Sequence, residues 1–164
     1  MFRLWRFGAR GAVKAMESPT ENPAENPTEN PTENKESEPR GELSLRTVAM
    51  PADTNPAGDI FGGHIMSLMD LAAGMAARAY SDGRVVTAAV SNLSFLQPVK
   101  VGDVICVHTQ VVRVGRTSMT LLVEAWVLRH GAGARMRVTA AEFVLVAVDQ
   151  NGRPRPVPAL RAQD

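Results

Sequence analysis

Gly58-Asp-Ile-Phe-Gly-Gly-His-Ile-Met-Ser-Leu-Met-Asp70 is the stretch that decides how the rest of the chain folds. Two adjacent glycines, Gly62 and Gly63, stand where an apolar-periodic run begins, and that run predicts a helix to about Tyr80. Ile65, Leu68, Met69, Ala72, Ala76 and Ala79 recur at the i, i+3, i+4, i+7 spacing of one buried stripe. The other side holds Met66, Ser67, Asp70, Gly74, Ala77 and Arg78, too apolar and too small for a solvated face. Both sides are therefore expected to be covered, the second by a partner subunit or a ligand. Gly83 is placed to end the helix as a left-handed residue.

The glycine pair has a chemical reading. The first N–H groups of a helix lack partners and lie at the positive end of its dipole, and glycine lets a carbonyl oxygen or an oxyanion come close to them. Asp70 starts two turns on and leans back toward the same end. Donors for a developing oxyanion plus a carboxylate suit the addition of water to an acyl group. The plainer alternative is that Asp70 pairs with Arg78 or with a cation of another chain while the glycines only pack.

Outward from the helix, Leu43 to Met50 reads as a first strand and Pro51 to Gly58 as a turn-rich loop. After Gly83 the chain becomes β-branched and alternating over Val85 to Phe95, Val104 to Val114, Ser118 to Leu128 and Arg137 to Val148. The links carry turn signals at Gln97 to Gly102, Gly115-Arg116 and Gly131 to Gly133, and short links imply antiparallel neighbours. One strand, one buried helix and four more strands predict an α+β domain in which an antiparallel sheet curls round a helix. From Met119 to Val127 the odd positions are wholly apolar, enough to cover the helix. The even positions mix Leu122, Trp126 and Leu128 with Glu124, so the outer face keeps apolar area for packing between subunits.

The chain has 164 residues and a formal net charge of +1, which suits one domain and argues against a general nucleic-acid surface. Its single cysteine, Cys106, excludes a disulfide within the chain and fits a reducing compartment. No stretch approaches the length of a membrane span, so stable membrane insertion is not expected. Residues 1 to 40 are a different kind of polymer. Met1 to Met16 is basic and acid-free, with Arg3, Arg6, Arg10 and Lys14 among Phe2, Leu4, Trp5, Phe7 and Val13. It suits a disordered leader, an anionic surface or a transit-peptide mimic, with Met16 as an alternative start. From Glu21 to Asn34 a four-residue Glu-Asn-Pro-Thr/Ala unit repeats, and proline at that interval forbids helix and ladder alike.

Several separated runs carry a resemblance: Leu45 to Asp70, Gly83-Arg-Val-Val-Thr87, Phe95-Leu-Gln-Pro-Val-Lys-Val-Gly-Asp103 and Val144-Leu-Val-Ala-Val-Asp149. Together they resemble the YciA-type bacterial acyl-CoA thioesterases of the hotdog fold. The resemblance covers residues 41 to 158, leaving 159 to 164 as a tail. It implies a five-stranded antiparallel sheet wrapped round one long helix, and hydrolysis of acyl-CoA to a carboxylic acid and coenzyme A. It also implies no metal or redox cofactor, and dimers, often trimers of dimers, with active sites at the subunit boundary; a cytoplasmic setting is expected unless the basic N-terminus is functional.

By the same resemblance Asp70 is the general base or the nucleophile, and Gly62 and Gly63 are the helix-start glycines. The N–H of Gly63 or His64 would polarise the thioester carbonyl. Asp59 is contributed across the dimer interface, unless it caps the helix. Asn55 stands with the substrate-binding residues and also suits a turn. Arg84, Arg116, Thr117 and Ser118, with Lys100, are expected near the phosphates or the pantetheine arm. Met66, Met69, Met75 and Phe95 are expected to line the acyl pocket. A hotdog hydratase needs a catalytic histidine, for which only His64 is placed. A non-catalytic acyl-CoA-binding module would come with a DNA-binding segment, and residues 1 to 40 hold no helix-turn-helix pattern.

Overall fold

The computed structural model describes residues 38–131, 133 and 135–157. The basic leader, the proline repeat and the 159–164 tail lie outside the described residues. The elements are β1 (Glu42–Val48), a single 3-10 turn (Pro51–Asp53), α1 (Gly62–Ser81), β2 (Val85–Phe95), β3 (Val104–Val114), β4 (Ser118–Leu128) and β5 (Arg135–Ala147). The strands form one antiparallel sheet in the order β1-β3-β4-β5-β2.

This order corrects one expectation. The 97–102 link does not join neighbours: β2 pairs with β5 at one edge, and β3 with β1 at the other. The link crosses the sheet end because α1 fills the space between the edges. Its peptide groups are taken up on the way, Ile60 donating to the Val99 carbonyl (2.8 Å) and Gly102 to that of Ala49 (2.9 Å).

The concave face of β4 is the floor of the core, with Met119, Leu121, Val123, Ala125 and Val127 all buried. Above them α1 buries Ile65, Met69, Ala72, Ala73 and Ala77. Removing a side chain such as Met69 from this layer costs about 2–5 kcal/mol. The buried stripe is rotated from the expected one: Ala77 is inside, Ala79 is exposed, and Leu68 and Ala76 are half-buried. Alanine on both flanks makes the two sides equally acceptable to the sheet, and the line of closest approach follows Ile65, Met69 and Ala73 instead. Met69 is thus a core residue and not a pocket lining. The far side of α1, with Met66, Leu71 and Met75, is exposed, as are Val86, Val90 and Phe95 of β2. One chain by itself leaves that face uncovered.

The helix stops differently from expectation as well. Asp82, not Gly83, takes the left-handed conformation (φ 49°) and its N–H reaches the Arg78 carbonyl. Gly83 has a different role: the Arg155 guanidinium lies against it, donating to the Ser81 carbonyl (2.9 Å), and a Cβ there would displace that side chain.

On the convex face Glu124 is 1% exposed yet charged. It accepts from Arg40 N (3.0 Å), Arg40 Nε (2.8 Å) and Trp126 Nε1 (3.1 Å). Those donors outweigh its burial and hold its carboxyl below the usual range. Cys106, in the row between Arg46 and Trp126, is 2% exposed.

Candidate active site

The start of α1 is left chemically open. Phe61 is the N-cap and offers no side-chain cap, so Asp59 does not cap the helix. The His64 and Ile65 N–H groups both go to the Phe61 carbonyl, at 2.9 and 3.4 Å. This leaves Gly62 and Gly63 as the two helix-start N–H groups without an acceptor among the described residues. Of the two donors expected for a thioester carbonyl, Gly63 or His64, only Gly63 is free.

Aromatic rings explain the glycines. A Cβ on Gly63 would sit 2.5 Å from Phe61 Cε1, and one on Gly62 would sit 3.3 Å from Phe95 Cζ. Gly62 and Phe95 line a cleft of about 340 Å³ with Asp59, Ile65, Leu96 and Val138. The cleft therefore has an apolar wall, Gly62 with its free N–H at its head and the Asp59 carboxylate at its rim.

The loop before the helix positions that carboxylate. Asn55 Oδ1 accepts from Ala57 N (2.9 Å) and Asp59 N (3.2 Å), and Asn55 N donates to the Asp59 carbonyl (2.7 Å). The amide of Asn55 is thus spent on folding the turn that presents Asp59, whose carboxylate is held by Lys100 Nζ. His64 turns toward the same loop, its Nδ1 3.5 Å from Asp53 Oδ1. Among the described residues no group of three His, Cys, Asp or Glu side chains gathers to hold a metal.

Asp70 lies further along the helix, exposed, and accepts from Thr87 Oγ1 at 2.5 Å. Its partner is this hydroxyl on β2 and not Arg78. Thr87 had no expected role, although a hydroxyl in the apolar first half of β2, between Val86 and Ala88, was a readable signal. The remaining expected residues assemble elsewhere. Val148 N donates to the Arg84 carbonyl (2.9 Å), Ala147 N to that of Thr117 (2.9 Å) and Val157 N to that of Arg116 (3.0 Å), so their backbones flank the end of β5. Arg84 Nη1 donates to the Gln150 carbonyl (3.2 Å), and Ser118 opens β4 beside them. This group sits where α1 ends, whereas the cleft sits where it begins.

Joined to the cleft lining at Pro98 is an ion pair with one buried partner that composition alone did not signal. Asp103, 2% exposed, takes Arg129 Nε on Oδ1 (2.9 Å) and Arg129 Nη2 on Oδ2 (2.7 Å). Burial raises its pKa, but the Arg129 and Lys100 N–H donors prevail and keep it below the usual carboxylate range. The same guanidinium donates to the Pro98 carbonyl (3.0 Å), which stitches the 97–103 link to β4.

A family model described as Thioesterase superfamily matches residues 57–134. The acyl-CoA thioester hydrolase YciA of Salmonella typhimurium is 48% identical over 126 residues, covering 75% of this chain and 95% of that protein. Among solved structures, a hexameric thioesterase from Yersinia pestis superposes with a TM-score of 0.71 at 49% identity, covering 75% of this chain and 100% of that one. A hexameric broad-specificity acyl-coenzyme A thioesterase gives 0.70 at 49%, covering 74% and 84%. With the wrapped helix and the open helix start already in place, these similarities settle the family: the chain belongs to the YciA-type acyl-CoA thioester hydrolases, enzymes of the thioesterase superfamily built on the hotdog fold.

Proposed function

We propose that the chain hydrolyses acyl-CoA at a site shared between two copies, in which the helix start and Asp59 of one protomer face Asp70 of the other. The observation that carries this is the pair of unpartnered N–H groups at Gly62 and Gly63, at a helix start where Gly62 lines an apolar cleft. A thioester oxygen seated on them gains negative charge as water adds, and donors already in place stabilise that charge most. The C–S bond then breaks, the acyl group leaves as a carboxylic acid and the sulfur leaves as coenzyme A thiol.

Asp70 activates the water, or attacks first to form an anhydride that water then opens. Within one chain it starts about 10 Å along the axis from Gly63, seven residues at about 1.5 Å each. That is too far for one carbonyl to touch both, and it favours a second copy bringing the acid. The exposed Met66, Leu71 and Met75 on α1 and Val86 and Val90 on the β2 edge supply a surface for that copy. A trimer of dimers is the assembly this reading adopts, in keeping with relatives that are hexameric, and the cytoplasm is its compartment. Arg84, Arg116, Thr117 and Ser118 take the phosphates, Asn55 serves by shaping the turn at Asp59, and His64 is left as a rim residue. No metal or redox group enters the proposed reaction.

The test is thiol release from a panel of acyl-CoA chain lengths, with and without Asp70→Asn. Turnover that collapses in the variant while the oligomer persists supports the reading. Undiminished turnover in Asp70→Asn removes Asp70 from the chemistry.

A further inference from the structure

Lys100 stands between two carboxylates and serves one of them. Its Nζ contacts Asp59 at the rim of the cleft, while its backbone N donates to Asp103 Oδ2 (2.9 Å). Asp103 is the more buried acid and would draw a cation the more strongly, because an uncompensated buried charge is costly. It does not take the lysine because Arg129 already occupies both of its oxygens, at 2.9 and 2.7 Å. Arg129 is anchored in turn by the Pro98 carbonyl, so its fork is held at Asp103. The lysine side chain is half-exposed on a flexible four-carbon stem.

We propose that Arg129 is a positioning residue for hydrolysis: by saturating Asp103 it commits the Lys100 ammonium to Asp59 and so fixes that carboxylate at the rim of the cleft. The inference rests on the reading of Asp59 as part of the site. The four groups form two pairs whose partners can be exchanged, and Arg129 decides the pairing. A planar fork with two parallel donors does this, whereas an ammonium at position 129 reaches one oxygen and leaves the other to compete for Lys100.

The test exploits the competition. Kinetics with butyryl-CoA are measured for Arg129→Met, Lys100→Met and the double variant, each well below its unfolding midpoint. Each single change is expected to lower kcat by about tenfold with KM within about twofold, and the double to be no slower than Arg129→Met alone, because the lysine has already left Asp59. Losses that multiply to about a hundredfold overturn the proposal. Adding Asp103→Asn to Arg129→Met removes the competing charge and is expected to restore kcat, although the fold has lost both partners of an ion pair. A strut with no role beyond structure gives no such rescue, and its absence overturns the proposal. Should Arg129→Met fail to fold, Arg129→Lys carries the same test, with a smaller loss and the same rescue. Asp59→Asn in the otherwise native chain separates the two readings. A fall in kcat there, without rescue at position 103, keeps Asp59 in the site and removes the role of Arg129. An unchanged kcat removes Asp59, and the proposal with it.

Discussion

Replacing Gly63 by alanine should separate stability from activity. The new methyl would lie 2.5 Å from Cε1 and 3.0 Å from Cδ1 of Phe61, so one of them must move. The ring is the movable partner, being 59% exposed at the end of a rotatable side chain. Alanine is favoured over glycine in a helix by up to about 1 kcal/mol, and loss of the ring contact offsets part of this. The unfolding midpoint should stay within a few degrees of the native value. Activity should not survive as well. A displaced Phe61 ring and a methyl group crowd one of the two free N–H groups, and loss of one such donor costs about 100- to 1,000-fold in kcat, equivalent to about 2.7–4.1 kcal/mol. Gly62→Ala, whose methyl meets Phe95 at 3.3 Å, should be milder and appear mainly in KM. Thermal unfolding and thiol-release kinetics on the same preparations test both. A Gly63→Ala enzyme that keeps more than about a tenth of its kcat refutes the idea that these N–H groups bear the oxyanion.

Thr87→Val removes the donor that holds Asp70 and should lower kcat by about tenfold without dissociating the oligomer, read from the same assay alongside gel filtration. One turnover in ¹⁸O-water tests the role of Asp70: label found in the enzyme carboxylate identifies a nucleophile, and label in the product alone excludes an anhydride that water opens at the aspartyl carbonyl. Acid should unfold the protein in two stages. Burial disfavours the His108 imidazolium, so stability begins to fall as pH drops below its ordinary 6.5. Asp103 and Glu124 have depressed folded values, so their contribution is complete above the ordinary 3.8 and 4.5 and is lost as pH falls through the folded values below these. Urea midpoints across pH 7 to 3 should show a shallow slope and then a steep one, and Asp103→Asn should flatten the steep part. Arg40→Met should cost about 1–2 kcal/mol, less than a fully broken buried pair, because Glu124 keeps Trp126 and the Arg40 N–H and the Arg40 side chain is half-exposed. Calorimetry should show that loss with kcat unchanged.

Much of the fold was legible because periodicity was strong. The β2, β3 and β4 bounds follow from runs of β-branched residues closed by Gly83, the Gln97–Gly102 turn and Gly115. Strand order was less legible, since pairing β2 with β5 depends on where α1 lies, and no residue in the 97–102 link records that. The rotation of the helix was hidden by its alanines, which are apolar on whichever side they fall. At the site, the glycines and the two acids stood out because charge and missing side chains are conspicuous in an apolar run. Asp103 and Arg129 did not, because they are 26 residues apart and each looks like an ordinary loop or strand-end charge. Only the fold brings them together.

The burial of Cys106 bears on how this enzyme can be measured. The reaction is followed by the thiol it liberates, and a protein sulfhydryl that reacts with the same reagent would add its own signal. Here one cysteine is present and it is shut between Arg46 and Trp126 beneath the convex face. A disulfide reagent should therefore report coenzyme A alone while the fold is intact. In the absence of substrate the same reagent becomes a one-site clock for opening of the β1–β3–β4 sheet. Each variant can then be assayed for turnover and for local opening in one cuvette, and a loss of activity through loosened structure shows itself as a rising baseline.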